Sequence, residues 1–588
     1  MKKTYIKGKD EALEVSIEKM QAQLTALGFD IEEALWLNPV SNIYSVNIQD
    51  KNCPLLFTNG KGSTKNACLA SALGEFFERL NCNYFFADYY LGQAIAQGDF
   101  VHYPNEKWLS PDVSDTDMHQ QLLNNDLWDY YDPEQQLTPK ALVDTNSGNL
   151  QRGVCALPFV RYSDQQTTWF PVNIIGNLYV SNGMSAGNSM MEARTQALSE
   201  IFERYVKNQI IANGVSLPNV PEHIIELYPK ALAAIAELTQ EGFVIEVKDA
   251  SLGGRYPVMA VLMMQPDSGR CLVSFGAHPS FEVALDRTIT ELLQGRRLDS
   301  LDGFQTPCFD DEAVADPVNL ETHFIDSSGL ISYDFFKKET DYDFVYWDFD
   351  GSVFEHHTAS EFDFLQTIFQ EENKEIYLAD YEHLGVYGCR IIVPSVSEIY
   401  PVDELTWQNN NEAVSLRERV LSLGLLSTEQ AEQLLSELDE SDYSDHSDVC
   451  GLIGIAPDPD SVWESLRVGE LKGMLALHIG DYEQALEWVQ WCIELAQFSA
   501  SREKLYRALA ALLEIQLDDY KERTHYHEGL EHLYGVDTVQ TCIALLEGQE
   551  KYHGLFDAGM ELTGLDRHQS LLLAYDKLQQ AKRVAGHI

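Results

Sequence analysis

Two glutamates and an arginine, Glu75, Glu78 and Arg79, close the stretch Ala72-Leu-Gly-Glu-Phe-Phe-Glu-Arg79 and recur as Glu200, Glu203 and Arg204 in Ala197-Leu-Ser-Glu-Ile-Phe-Glu-Arg204. On a helix, positions i, i+4 and i+7 lie along one stripe. Ser71, Glu75 and Glu78 therefore share a face, as do Gln196, Glu200 and Glu203. Apolar residues at 72, 73, 76, 77 and 80 read as packed against a core, so the carboxylates gather at a buried seam. Ionised carboxylates there repel unless a cation or their own protonation relieves them, and a divalent metal is the simplest relief.

Further residues of the same kind flank this duplicated motif. Ser185-Ala-Gly187-Asn188-Ser189-x-x-Glu192 leads into the second helix, with Asn188 read as its N-cap; free amides at such a helix start suit an anion, so a phosphate is expected near 187–190. Arg287 and Glu291 form a third pair, one turn apart. Together Glu75, Glu78, Glu192, Glu200, Glu203 and Glu291, with Arg79, Arg204 and Arg287, describe hard oxygen ligands interspersed with guanidinium groups. That is a set for Mg2+ and a polyphosphate, ATP being the natural candidate. The competing reading is a pair of solvated, salt-bridged helix faces; duplication of the octapeptide and its apolar filling weigh against it.

Other nucleotide and metal signatures are weaker. Gly60-Lys-Gly-Ser-Thr64 sounds like a phosphate loop, but Leu55 stands where the first glycine belongs and Gly62 where Ser or Thr should follow the lysine. Phe344-Val-Tyr-Trp-Asp348-Phe-Asp350-Gly-Ser352 resembles a phosphatase nucleophile loop without a downstream acidic pair, and a turn after a strand explains it equally well. His356 and His357 are adjacent, so they point to different sides, and no further ligand lies at zinc spacing.

The elements that must position these residues alternate irregularly. Apolar, β-branched runs at 42–50, 170–180, 243–249, 256–264, 271–277, 344–349 and 387–396 predict strands; helices are predicted at about 66–86, 189–213, 281–297 and 361–373. This is an α+β body over residues 1–410. Residues 411–450, helical and then acidic, read as a linker, and 451–588 as an all-α domain. Within it, Gly473-Met-Leu-Ala-Leu-His-Ile-Gly480-Asp-Tyr482 resembles the middle of a tetratricopeptide (TPR) repeat, an ordinary helical bundle being the alternative.

Composition limits the partners. The 588 residues exceed one core, and 92 acidic against 41 basic residues give a formal charge of −51, which argues against general affinity for nucleic acid or anionic membrane. No apolar run approaches the roughly 20 residues of a membrane span, and the expected location is cytoplasmic. The ten cysteines contain no Cys-x-x-Cys, against an iron–sulfur or zinc-ribbon site.

The assembled pattern, Ser71-x-x-x-Glu75-x-x-Glu78-Arg79, then Glu192, Glu200-x-x-Glu203-Arg204 and Arg287-x-x-x-Glu291, resembles the YcaO family, with Ile391-Ile-Val-Pro394 similar to its later strand. The resemblance implies an ATP site without a P-loop, in which the glutamates chelate Mg2+ around the triphosphate. Lys9, Ser16, Ser71, Asn188, Arg204 and Arg287 would contact the nucleotide, and Glu200, Glu203 and Arg204 would serve catalysis. It further implies activation of a peptide amide: a nucleophile attacks the carbonyl carbon, the oxyanion is phosphorylated, and phosphate leaves as an azoline, thioamide or amidine forms. Azoline-forming members end in a proline-rich tail, whereas this chain ends Ala581-Lys-Arg-Val-Ala-Gly-His-Ile588. Similar stand-alone members imply an accessory role in β-methylthiolation of a small-subunit ribosomal protein, beside a radical SAM methylthiotransferase. A homodimer is expected.

Overall fold

The computed structural model describes residues 3–145, 147–148, 150–347, 358–405, 411–495 and 498–585. The Asp348–Ser352 stretch and the His356-His357 pair lie outside the described residues. Three antiparallel sheets carry the first part of the chain. Strands β1 (Ile31–Val40), β2 (Ile43–Asp50) and β3 (Cys53–Gly62) form a meander. A second sheet holds β4 (Lys107–Leu109), β5 (Val154–Arg161), β6 (Thr167–Pro171) and β7 (Met184–Gly187). The third comprises β8 (Val244–Asp249), β9 (Val258–Gln265) and β10 (Arg270–Ala277). The late strands β11 (Tyr377–Tyr381) and β12 (Tyr387–Ile392) return to the second sheet between β5 and β7, giving the order β4-β5-β11-β12-β7 with β6 beside β5.

Each sheet feeds one of the helices singled out above. Strand β3 turns directly into Lys65–Asn81, β7 into Met190–Ala212 and β10 into Phe281–Leu292, each helix folding back over its own strand. Glycine makes the close crossings possible. A Cβ on Gly60 would sit 2.2 Å from the Cys68 carbonyl oxygen, one on Gly187 2.8 Å from the Ala193 nitrogen, and one on Gly276 2.3 Å from Thr288 Oγ1. The Gly60-Lys-Gly-Ser-Thr64 stretch is thus the end of a strand pressed against a helix, and Thr64 caps that helix by accepting from the Ala67 N–H at 3.2 Å.

Two strand expectations require correction. The run 170–180 leaves β6 at Pro171 and coils into helical turns from Val172 to Tyr179; most of it is buried, and an apolar run alone does not distinguish strand from helix. Asn173 Nδ2 satisfies the Val143 carbonyl at 3.0 Å inside this bend. Residues 344–347 form no strand; Trp347 packs instead on Phe281 with ring centroids 4.8 Å apart. Conversely, β1 and β3 are absent from the reading of the sequence, since β1 mixes Glu32, Glu33 and Asn38 with its apolar residues and β3 ends in Asn59-Gly-Lys-Gly62.

From residue 411 the described chain is helical, around a core that includes Leu434, Trp463, Leu475, Leu509 and Cys542. Helices Val468–Ile479 and Tyr482–Leu495 pack as a pair across Gly480, whose φ of +84° closes the first helix in the left-handed region. Trp491 and Trp488 lie over Gly469 and Gly473, where a Cβ would come within 2.9 Å of each indole residue. The final helix, Asp566–Ala585, leaves this core and packs Leu571, Ala574, Tyr575 and Leu578 against the layer formed by β3 and Lys65–Asn81. Tyr575 donates to the Val101 carbonyl at 2.7 Å and Lys582 to the His102 carbonyl at 2.8 Å. Among the described residues no helix is long and apolar enough to cross a membrane.

Replacing Gly60 with alanine is expected to destabilise the protein by roughly 3 kcal/mol, since the added methyl meets backbone atoms of the first glutamate helix that have no room to yield. A urea titration followed by tryptophan fluorescence measures the shift in midpoint.

Candidate functional site

The three strand–helix units direct their polar stripes into one cleft of ≈ 1400 Å³. Ser71, Glu75, Glu78 and Arg79 enter from the first helix, Glu192, Glu200, Glu203 and Arg204 from the second, and Arg287 and Glu291 from the third. Lys9, Ser16 and Asn188 line it as well. Every site residue read from the sequence therefore faces the same space, although they do not form one cluster.

At one end, Arg79 Nη2 contacts Glu75 Oε1 at 3.0 Å, and its Nε lies 3.8 Å from Glu78 Oε1. The guanidinium also stacks on Tyr84, 4.5 Å from the ring centroid, and its Nη1 is buried without a hydrogen-bond partner among the described residues. Glu78 is only 7% exposed. Its pKa is pushed well above the carboxylate range by burial, which Arg79 opposes while Glu200 and Glu75 add repulsion.

In the middle, Arg204 Nη2 lies 3.7 Å from Glu200 Oε2, and its Nη1 donates to Asn182 Oδ1 at 3.1 Å. Gln196 Nε2 donates to Glu200 Oε1 at 3.0 Å, while its amide oxygen accepts from Arg287, which also donates to the Ala277 carbonyl at 3.1 Å. Glu203 is raised by burial, with Lys61 and Lys207 opposing the shift. Lys207 is itself pushed down to about 8 by burial. Its ammonium donates to the His323 carbonyl at 2.7 Å.

Glu192 sits apart, at the start of its helix. It accepts from the Asp10 N–H at 2.9 Å and from Asn188 Nδ2 at 3.0 and 3.1 Å, with Lys9 Nζ at 3.3 Å. Burial alone would raise its pKa, but Lys9 and these hydrogen bonds bring it below the usual value. The helix cap is Ser189, which accepts from the Glu192 N–H at 3.1 Å, and not Asn188. Asn188 is instead committed to Glu192 and accepts from Ser16 Oγ at 2.8 Å, because its side chain points across to the N-terminal segment.

Reading the sequence missed Lys61, which sits in the stretch set aside as a failed phosphate loop. It is ion-paired with Glu291, burial lowers its pKa, and Glu203, Glu200 and Glu75 act on it in the opposite sense. A lysine between two glycines at the end of a strand, just ahead of the first glutamate helix, was the available signal. Glu361 and His278 were also missed. They meet behind the cleft at 3.7 Å, with Glu361 Oε2 buried and unpartnered by any hydrogen bond among the described residues. Burial raises Glu361 to about 7, Arg287 opposing. Burial, together with Arg287, Lys9 and Lys7, holds His278 well below its ordinary value and hence neutral.

Among the described residues no three His, Cys, Asp or Glu side chains converge as a preformed metal cage. The donors nevertheless suit a magnesium polyphosphate. Hard carboxylates crowd where burial penalises their charge, Lys61 and the arginines neutralise part of it, and Arg79 keeps a buried donor unused.

Comparison with known proteins follows the same lines. Residues 59–397 match the family model described as YcaO cyclodehydratase, ATP- and Mg2+-binding, and residues 413–584 match that of the YcaO cyclodehydratase C-terminal domain. The chain is 53% identical over 586 residues, 99% of each chain, to the ribosomal protein S12 methylthiotransferase accessory factor YcaO of Escherichia coli K12. It is 52% identical over 585 residues, again 99% of each chain, to an uncharacterised protein of Haemophilus influenzae. A solved structure of YcaO from Methanopyrus kandleri bound with AMPPCP and Mg2+ is similar at 16% identity and a TM-score of 0.38, covering 66% of this chain and 92% of that one.

Glu361 supplies a test of the electrostatics behind the cleft. Its folded pKa of about 7 lies above the ordinary 4.5, so the folded state holds the proton more tightly and loses stability as pH rises from about 5 to 7. Glu361→Gln is expected to flatten that loss, leaving the variant as stable as the parent at pH 5 and more stable at pH 8. Urea midpoints across this range measure it.

Proposed function

The chain belongs to the YcaO family, and from that premise we propose that it is a Mg2+-dependent ATPase that activates peptide amides by phosphorylation. In this reading it acts in the cytoplasm as accessory factor for β-methylthiolation of a small-subunit ribosomal protein, beside a radical SAM methylthiotransferase. The observation that carries the nucleotide reading is the gathering of glutamates and arginines from three strand–helix units around one cleft. Identity along 99% of a relative named as an S12 methylthiotransferase accessory factor supports the biological role.

When bound, MgATP would supply a phosphoryl group to a peptide-amide oxygen, turning a poor leaving group into a good one. The chain's own part is to hold and neutralise charge. Glu75, Glu78, Glu200, Glu203 and Glu291, with Glu192 at the far end, are the assigned metal ligands. Lys9, Ser16, Ser71, Asn188, Arg204 and Arg287 are the assigned nucleotide contacts. Arg204 and Arg287 are held in place by Asn182 and by Gln196 with the Ala277 carbonyl, so they meet developing negative charge without reorganising. Lys61 shares Glu291 and the field of Glu200, Glu203 and Glu75, and it would yield these carboxylates as a doubly charged ion enters.

The same reading keeps a catalytic body (1–410) and a TPR-like helical domain (451–588) that supports a homodimer, with the helical and acidic stretch 411–450 between them contributing Leu434 and Leu438 to the core of that helical domain. The final helix ties that domain back to β3, in the core that β3 shares with the first glutamate helix.

Purified protein is expected to release phosphate from ATP only with Mg2+. Glu200→Gln and Arg204→Ala are each expected to lower that turnover by at least about 100-fold without moving the urea midpoint appreciably. Nucleotide binding without turnover in the parent protein would make the cleft a regulatory site and the chain an interaction scaffold.

A further inference from the structure

The wall of the cleft beyond Arg204 is built by a segment that the nucleotide site does not use. Helix Pro317–Ile325 ends at the cleft, where Phe324, Ile325 and Asp326 line it and Arg204 lies over the Phe324 ring, 4.8 Å from its centroid. Its inner side is firmly held. Lys207 of the second glutamate helix donates to the His323 carbonyl at 2.7 Å, and Asn319 Nδ2 bonds the Val314 and Leu330 carbonyls at 2.8 and 3.0 Å.

Its outer side is open and apolar. Val318 and Ile325, two turns apart on one face, are 69% and 70% exposed, and Phe309, just before the preceding helical turn Asp311–Ala315, is 78% exposed. Phe309 stacks on Tyr333 with ring centroids 4.5 Å apart. The surrounding charge is mostly negative, with Lys337 beside Asp311 and Arg296 donating to the Asp326 carbonyl at 2.6 Å as the cations at its edges. The segment carries Asp299, Asp302, Asp310, Asp311, Glu312 and Asp316, and no lysine or arginine stands between Arg297 and Lys337.

We propose that the Phe309–Val318–Ile325 face is the docking surface for the protein substrate, a basic polypeptide segment bearing apolar side chains whose amide is then presented to the adjoining cleft. Two observations select this occupant. Exposed apolar anchors beside Asp310, Asp311, Glu312 and Asp316, which outnumber the cations Lys337 and Arg296 at the edges, match a cationic, apolar-studded chain and disfavour an acidic one. The surface is also continuous with the cleft through Ile325 and Phe324, as a substrate reaching from dock to reaction centre requires. The proposal rests on the reading of the cleft as an amide-activating site, but it fails or stands separately in the test.

The test is fluorescence anisotropy with the full chain and two labelled 20-residue peptides of equal positive charge, one of Lys and Leu, the other of Lys and Ser. The parent protein is expected to prefer the Lys/Leu peptide by roughly tenfold, and Phe309→Ser with Val318→Ser to abolish that preference while phosphate release from ATP stays unchanged. Asp311→Asn with Glu312→Gln is expected to weaken both peptides and flatten the salt dependence, a readout independent of the apolar variant's folding. No preference in the parent, or a preference that survives Phe309→Ser with Val318→Ser, overturns the docking surface. So does conversion of a dimer to monomers by that variant in light scattering, which would give the face to a second copy. Absence of ATP turnover in the parent, with the peptide preference intact and lost on mutation, would overturn the catalytic reading alone.

Discussion

Crowding carboxylates in a half-dry cleft is the constraint on which the rest of this structure depends. Two like charges about 4 Å apart in a protein-like medium repel by roughly 4 kcal/mol, and burial adds to the penalty on each. Glu78 shows the result, its pKa pushed well above the ordinary range by burial first, with repulsion from Glu200 and Glu75 added and Arg79 opposing. Each neutralising cation comes from a defined element: Lys61 from the end of β3, Arg79 from the first helix, Arg204 from the second and Arg287 from the third. A cleft arranged this way is electrostatically unsaturated toward a small doubly charged ion, yet poised with guanidinium groups for an anion beside it.

Holding that charge needs a rigid frame, and the frame is made by repetition of one device. Each glutamate-bearing helix folds tightly over the strand that precedes it, and in all three units a glycine removes the Cβ that would block the crossing. Side chains lining the cleft fix the orientation further, Gln196 linking Glu200 to Arg287 and Asn188 linking Ser16 to Glu192. The helical tail contributes through its final helix, where Tyr575, Gln579 and Lys582 satisfy carbonyls at 100–102 and Leu571, Ala574 and Leu578 pack on β3 in the core it shares with Lys65–Asn81. Burial takes Lys582 down to about 7, so this clasp includes an amine that is readily neutral.

The legible part of the site was the part carried by helical spacing. Glu75 and Glu78, Glu200 and Glu203, and Arg287 and Glu291 announced shared faces because i, i+4 and i+7 positions coincide on any helix. The hairpin strands β8, β9 and β10 were close to readable from their apolar runs, whereas β1 and β3 hid behind polar residues on their open faces. Residues 170–180 misled because a short, mostly buried apolar run carries no periodicity that separates strand from helix. Lys61 was hidden by its neighbours: the glycines beside it suggested a loop, and only the packed helix shows why they are there.

The sequence by itself determined the chemistry on offer, its duplication, the acidic balance of −51 and the change from mixed to helical structure near residue 411, since all of these are local or additive properties. Tertiary structure decided which charges face one another. The pairing of Lys61 with Glu291, the detachment of Glu192 toward Lys9, the meeting of Glu361 with His278 and the return of the last helix join residues far apart in the chain. No spacing rule encodes such contacts, because they arise from the way three sheets and their helices share a common space.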